Sequence, residues 1–170
     1  GFVGYDDLRL PPLLRVGELT EAVPGMVATQ HSGTGKANQY FLRGFNLDHG
    51  TDFSAHLDGV PLNMRTHGHG QGYLDLNFLI PELVATSRYR KGTYRAAQGD
   101  FSTAGSVDFS SYDRLPERIA QLTIGEFGYG RALVAGSLET AAGTFTGAID
   151  ATRYDGPWEL EENLEQYKLQ

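Results

Sequence analysis

The chain has 170 residues, enough for one domain with a real core, and no cysteine, so neither disulfides nor cysteine-based zinc sites organise it. Its net charge of −7, with no basic patch to neutralise phosphates, argues against nucleic-acid binding. The 22 glycines and 11% aromatic content imply many tight turns, and no apolar run suits a membrane-spanning helix, a test that barrel strands escape.

The chain opens at Gly1 without Met or a signal-like segment and reads as a mature or excised piece. Gly1–Arg15 reads as irregular, since Pro11-Pro12 prevents a helix there. Val16–Val23 places Val16, Leu19 and Val23 on one face of a short helix that Pro24-Gly25 ends. Met26–Gln30 is strand-like, and His31–Asn38 (HSGTGKAN) is a polar loop. Its Gly35-Lys36 pair is not a phosphate-binding loop, because that motif needs Gly at 30 and Ser or Thr at 37, where this chain has Gln30 and Ala37. From Tyr40 to Asn63, two apolar runs, Tyr40–Leu42 and Phe53–Val60, flank a polar turn at Asn46–Thr51. They predict paired strands with Arg43 and Asp58 close together as an ion pair; an ordinary hairpin with a surface salt bridge is the plainer version.

Met64–Gly72 (MRTHGHGQG) is too glycine-rich for regular structure. In a strand, His67 and His69 would share a face and could hold a metal, but no third ligand is evident and no metal site is assigned; contact with solvent or substrate is the competing role. Asp75–Ile80 predicts one or two helical turns, capped by Asp75 and stopped by Pro81. Val84–Gly92 predicts a strand whose basic end, Arg88, Arg90 and Lys91, reads as a solvated face. Gln98–Ser110 is rich in Gly and Ser and alternates over Ser106–Phe109.

Composition shifts at Tyr112–Glu117, with Pro116 marking a boundary. Beyond it, Arg118–Glu126, Arg131–Glu139 and Thr144–Asp155 alternate as strands of about the ten residues a tilted span needs. Ala141–Gly143 is a tight link, and the aromatics of Phe127–Gly130 and Tyr154–Trp158 sit at strand ends as interfacial girdles do. Such strands cannot close a barrel alone, so they belong to a larger barrel or to a soluble sheet. In the first case Ala120, Leu122, Ile124, Val134, Leu138, Phe145 and Ile149 face lipid; in the second they are buried against another sheet. Glu159–Glu165 is an acidic loop, and Gln166–Gln170 begins a further strand. There is no G-x-S-x-G, the Ser, His and Asp residues are scattered, and Asp6-Asp7 and Glu161-Glu162 read as solvated charge, so nothing makes a case for an enzyme.

The order PGMV, GTGKANQYFLRGF, DGVPLN, FLIPELV and YRKGTYRAAQGDFSTAGSVDF resembles the plug domain of TonB-dependent outer-membrane receptors, over roughly residues 16–110. Residues 118–170 resemble, more loosely, the opening strands of their barrel. The family's PG, RG, DGV, KGP-x-x-x-x-YG and GG-x-V-x-I motifs fall on Pro24-Gly25, Arg43-Gly44, Asp58-Gly59-Val60, Lys91-Gly92 with Gly99, and Gly105–Phe109. Arg88 stands where the family has Glu, Thr93 for the Pro of KGP, Gln98 for the Tyr of YG, and Ala104 for the first Gly of the GG pair.

The resemblance implies an α+β plug, a small mixed sheet with short helices, over residues 1–111 with an N-terminal extension. It implies the first antiparallel strands of a transmembrane β-barrel over 112–170, the chain then being a fragment of a barrel with on the order of 22 strands. It further implies a bacterial outer-membrane location, no cofactor, contact with outer-membrane lipid, an extracellular small-molecule ligand, and energising by the TonB complex through a segment upstream of Gly1. The ligand would be a siderophore-like chelate, a cofactor or an oligosaccharide. A soluble secreted β-rich module using the His-rich loop for metal or sugar is the alternative. Counting reversals from an upward strand at Met26 makes His31–Asn38 an outer loop, Asn46–Thr51 a periplasmic turn and Met64–Gly72 outer again. Lys36, Asn38, Asn63, Arg65, His67, His69 and Gln71 are then the candidate ligand-binding donors, with pH-dependent binding expected of the two histidines.

Overall fold

The computed structural model describes residues 1–11, 13, 15–30 and 32–170. Pro12 and His31, which carried part of the expectations for the N terminus and the first polar loop, lie outside them. The chain forms two compact units, Gly1–Ser32 with Lys36–Ser111, and Gly33–Gly35 with Tyr112–Gln170.

The first unit contains β1 (Phe2–Gly4), the helical turn α1 (Tyr5–Leu8), a 3-10 helix at Val16–Ala22, β2 (Met26–Thr29), β3 (Gln39–Leu42), β4 (Phe45–Asn46), β5 (Phe53–Leu57) and β6 (Val60–Pro61). It continues with a 3-10 turn at Pro81–Leu83, β7 (Val84–Lys91), a 3-10 turn at Ala96–Gln98 and β8 (Gly105–Ser111). The strands form two sheets, ordered β1-β7-β8-β5-β6 and β2-β3-β4. β5 and β8 run parallel and the other pairs antiparallel. Leu19, Val23, Tyr40, Leu47, Phe53, Leu74, Val107 and Phe109 are fully buried in its core. Apolar burial of this kind, at roughly 25 cal/mol per Å², is what holds such short strands together.

The apolar runs of Tyr40–Asn63 do not pair with each other: β3 pairs with β2 and β4, and β5 with β8 and β6. The reason is local. Arg43-Gly44 (φ 54° and 78°) and Asp58-Gly59 (φ 50° and 81°) are both two-residue turns with positive φ, which reverse a strand on the spot. Leu42 faces Phe45 across the first turn and Leu57 faces Val60 across the second. Among the described residues no ion pair joins Arg43 to Asp58; Asp58 instead accepts from Ser111 N (2.9 Å) and Ser111 Oγ (2.6 Å). The polar turn Asn46–Thr51 exposes Asn46, Asp48 and Thr51 but buries Leu47 and His49. Asp75–Ile80 is not helical: Asp75 Oδ1 accepts from Asn77 N at 2.8 Å in a local turn, and Pro81 begins a 3-10 turn where it was expected to stop a helix. The N terminus is ordered ahead of its prolines, because β1 finds an edge to pair with on β7, Phe2 opposite Arg88.

The remaining motif positions hold backbone geometry. Lys91 Nζ donates to Pro24 O at 3.4 Å, and Gly92 (φ 87°) donates its N–H to Ala104 O at 2.8 Å. Gly99 also has positive φ, 67°. At Gly105 a Cβ would lie 2.4 Å from Arg90 O, so only glycine fits there. Arg88 is exposed opposite Asp108 of β8.

The second unit is an antiparallel sheet ordered β12-β11-β10-β9, from β9 (Ile119–Ile124), β10 (Gly130–Thr140), β11 (Gly143–Tyr154) and β12 (Leu164–Leu169). One face is apolar and open: Leu122 is 73% exposed, Val134 and Ile149 62% each, and Ala120, Ile124, Leu138 and Phe145 are exposed beside them. Val134 stands between Ala120 and Ile149, and Ile149 opposite Leu169, so the band is continuous across the sheet. The other face mixes polar and apolar residues: Leu133, Ala135 and Ala148 are buried there, and Arg131 Nε donates to the buried Asp150 Oδ2 at 2.5 Å. Thr34 and Trp158 both donate to the Glu162 carboxylate, from Thr34 N at 3.0 Å and Trp158 Nε1 at 2.6 Å.

Candidate functional site

The two immediate reversals carry a consequence for the loops. Because the chain turns back at Arg43-Gly44, the segment after β4 returns beside the start of β3, with Tyr40 N donating to Asp48 O (2.8 Å). The turn at Asp58-Gly59 likewise sends the chain back through β6 into 62–72. The segment 46–51 therefore lies together with residues 36–38 and 62–72, whereas a simple count of reversals sets it at the opposite end.

Within this cluster, Gly50 adopts φ +107° and lies so close to Leu74 that a Cβ would come within 2.4 Å of Leu74 Cβ. That backbone turns His49 inward, and Leu74 N donates to His49 O at 2.7 Å to hold it. The His49 side chain is only 2% exposed, and Nδ1 lies 3.0 Å from both Ala37 O and Asn38 O. Two carbonyls can only accept, so Nδ1 carries the proton and Nε2 is the acceptor of the neutral ring. Burial pushes the His49 imidazole below its ordinary value, outweighing the Asn38 carbonyl and Asp48 carboxylate that pull the other way. His49 Nε2 faces Asp48 Oδ1 at 3.8 Å, and His69 Nε2 faces Asp48 Oδ2 at 3.5 Å. The two imidazoles meet edge to face at 4.5 Å.

Tyr73 anchors the rest. His67 stacks on its ring at 3.9 Å, and its hydroxyl accepts from Ala37 N at 3.1 Å. His67 Nδ1 accepts the His69 N–H at 3.2 Å, so the first histidine orients the backbone of the second. Thr51 Oγ1 donates to Gln71 O at 3.1 Å, tying two loops together.

The residues expected to bind ligand divide into distinct environments. His67 and His69 are in the cluster, and Gln71 joins it through its carbonyl. Lys36 is half-buried, its carbonyl accepting from Asn77 Nδ2 at 3.3 Å. Arg65 is exposed and paired with Asp100 at 3.0 Å. Asn38 is buried, its amide donating to Thr29 O and Gln30 Oε1. Asn63 Nδ2 donates to the carbonyls of Gly50, Phe53 and Gly72 while its Oδ1 accepts from Ala55 N, so this side chain braces the loops. Asp48, His49 and Tyr73 were not singled out from sequence; treating RG as a reversal in its own right would have brought the first two beside His69. The ligand atoms of Asp48, His49 and His69 all lie within 4.8 Å of one another, a set able to hold a metal ion.

A family profile described as TonB-dependent Receptor Plug Domain matches residues 3–106, more than half of the chain. The chain belongs to that family. Its plug and following strands are similar in fold to the copper transporter OprC, at 18% identity and a TM-score of 0.67, over 91% of this chain and 23% of that one. They are similar to the ferric yersiniabactin uptake receptor FyuA from Yersinia pestis, at 16% identity and a TM-score of 0.65, over 91% and 23%. The siderophore receptor PirA from Acinetobacter baumannii aligns at 18% identity and a TM-score of 0.61, over 92% and 24%. This chain spans about a quarter of the length of the solved receptors it matches. Plug followed by first barrel strands is thus its architecture, and the TonB-dependent outer-membrane receptors are its family.

Proposed function

We propose that this plug belongs to an outer-membrane receptor that captures an extracellular small ligand at the clustered loops 36–38, 46–51 and 62–72 and admits it when TonB supplies force. The supporting observation is the pairing, in one chain, of a plug-family unit with a sheet whose Leu122, Val134 and Ile149 present an open apolar band. A lipid-facing strand needs that alternation, with polar residues such as Arg131 and Asp150 turned the other way. The soluble-module alternative requires the same residues to be covered. The candidate ligand contacts are His67, His69, Gln71, Arg65 and Lys36, with Asn38 and Asn63 bracing them, and the domain boundary falls at 111/112.

The reading is tested by expressing the receptor that carries this chain, epitope-tagged, in tonB-positive and tonB-negative cells. The expected result is outer-membrane fractionation, heat-modifiable migration, and a cross-link to TonB that the tonB deletion abolishes. Recovery in the soluble periplasm would overturn it.

A further inference from the structure

Asp48, His49 and His69 present donors of mixed type rather than a patch of solvated acid. Donors bound to one ion at about 2.0–2.1 Å in a tetrahedron stand roughly 3.3 Å apart. Asp48 Oδ1 lies 3.8 Å from His49 Nε2 and Asp48 Oδ2 lies 3.5 Å from His69 Nε2, and one ligand atom from each residue falls within 4.8 Å of the others, so a modest inward turn of the exposed Asp48 and His69 side chains reaches that spacing. The second observation is the buried half of the site. His49 is fixed through Nδ1–H to two carbonyls, the arrangement by which proteins set the tautomer and aim Nε2 of a metal-ligating histidine.

We infer that Asp48, His49 Nε2 and His69 Nε2 form a three-donor site for a borderline divalent transition-metal ion of the zinc, nickel and cobalt class. Two imidazoles and one carboxylate suit such ions, whereas calcium and magnesium take all-oxygen sets. Asp48 and His69 are exposed and His49 is buried, so the ion is gripped from the plug side and keeps an open position toward solvent. An open position is the mark of a site that exchanges its ion or accepts a further donor, unlike a closed structural site. His67 contributes by holding the His69 backbone and stacking on Tyr73, which answers why two histidines stand two apart without sharing a metal. As the ligand class of the proposed receptor, this deepens that reading and rests on it; as a binding site, it stands alone.

The test is titration of the detergent-purified full receptor with Zn²⁺ by calorimetry, and with Co²⁺ by visible absorption. One equivalent is expected to bind, with Co²⁺ bands reporting nitrogen and oxygen donors. His69→Ala and Asp48→Asn, both at exposed positions, should each weaken binding on the order of tenfold or more while circular dichroism is unchanged. His56→Gln is the control: His56 faces Asp108 at 3.5 Å with no third donor among the described residues, and should bind as the parent does. Unchanged affinity in His69→Ala and Asp48→Asn, or no binding at millimolar Zn²⁺, overturns the site. Metal binding needs neither a membrane nor TonB. Binding without TonB cross-linking would sink the receptor reading alone, and cross-linking without binding would sink the site alone.

Discussion

Asn63 shows how much of a loop can depend on one amide. It satisfies the carbonyls of Gly50, Phe53 and Gly72 and the N–H of Ala55, so Asn63→Ala should leave several backbone groups without a partner. We expect a cost of about 2 kcal/mol, read as a roughly thirtyfold loss of hydrogen-exchange protection across Gly50–Phe53 in the intact receptor. Asn63→Asp keeps the acceptor, lacks the donors, and should fare little better. At Arg43 the change runs the other way. A long side chain at φ 54° is strained, and Arg43→Asn, a residue that tolerates left-handed backbone, should stabilise by up to about 1 kcal/mol. The equivalent Asp58→Asn change should not help, because the Asp58 carboxylate takes two bonds from Ser111; thermal unfolding of the two variants side by side checks the contrast. In sequence these two turns look alike as RG and DG, and nothing there reveals that Asp58 also ties its turn to a neighbouring strand through its side chain.

Short elements were harder to read than long ones, for a physical reason. The alternation of β10 and β11 runs over eleven and twelve residues, and the period is plain in the letters. β4 and β6 have two residues each, too few for any period, yet they decide which loops meet. The Asp48–His49 half of the cluster was lost for that reason, while His67 and His69 were visible because their loop is itself distinctive. The same scale carries two tests. Gly105→Ala would drive a methyl into Arg90 O and should break the β7–β8 ladder, seen as lost exchange protection from Tyr89 to Val107. Glu162 gives a pH signature. Although burial opposes its charge, bonds from Thr34 and Trp158 hold its carboxyl below the usual value. A depressed carboxyl stabilises above the ordinary range near about 4.3 and loses that contribution as pH falls through its lower folded value. Thr34 N–H protection should therefore be full at neutral pH and fade below about pH 4. Glu162→Gln should flatten the profile.

For the whole molecule, the decisive division is between the two faces of β9–β12. Ile149→Arg on the apolar face should cost about 2–4 kcal/mol if it sits near the bilayer midplane, and lower the amount of heat-modifiable receptor in the outer membrane. Gln121→Arg, pointing from β9 to the opposite face, should be tolerated in the same assay. The order of the sheet has a practical outcome as well. Among the described residues β9 and β12 each have a hydrogen-bonded neighbour on one side only, so two bare rims of N–H and C=O flank a greasy panel. Produced by itself, this polypeptide is a template for its own copies, and ribbons joined rim to rim are the product to look for in an inclusion body.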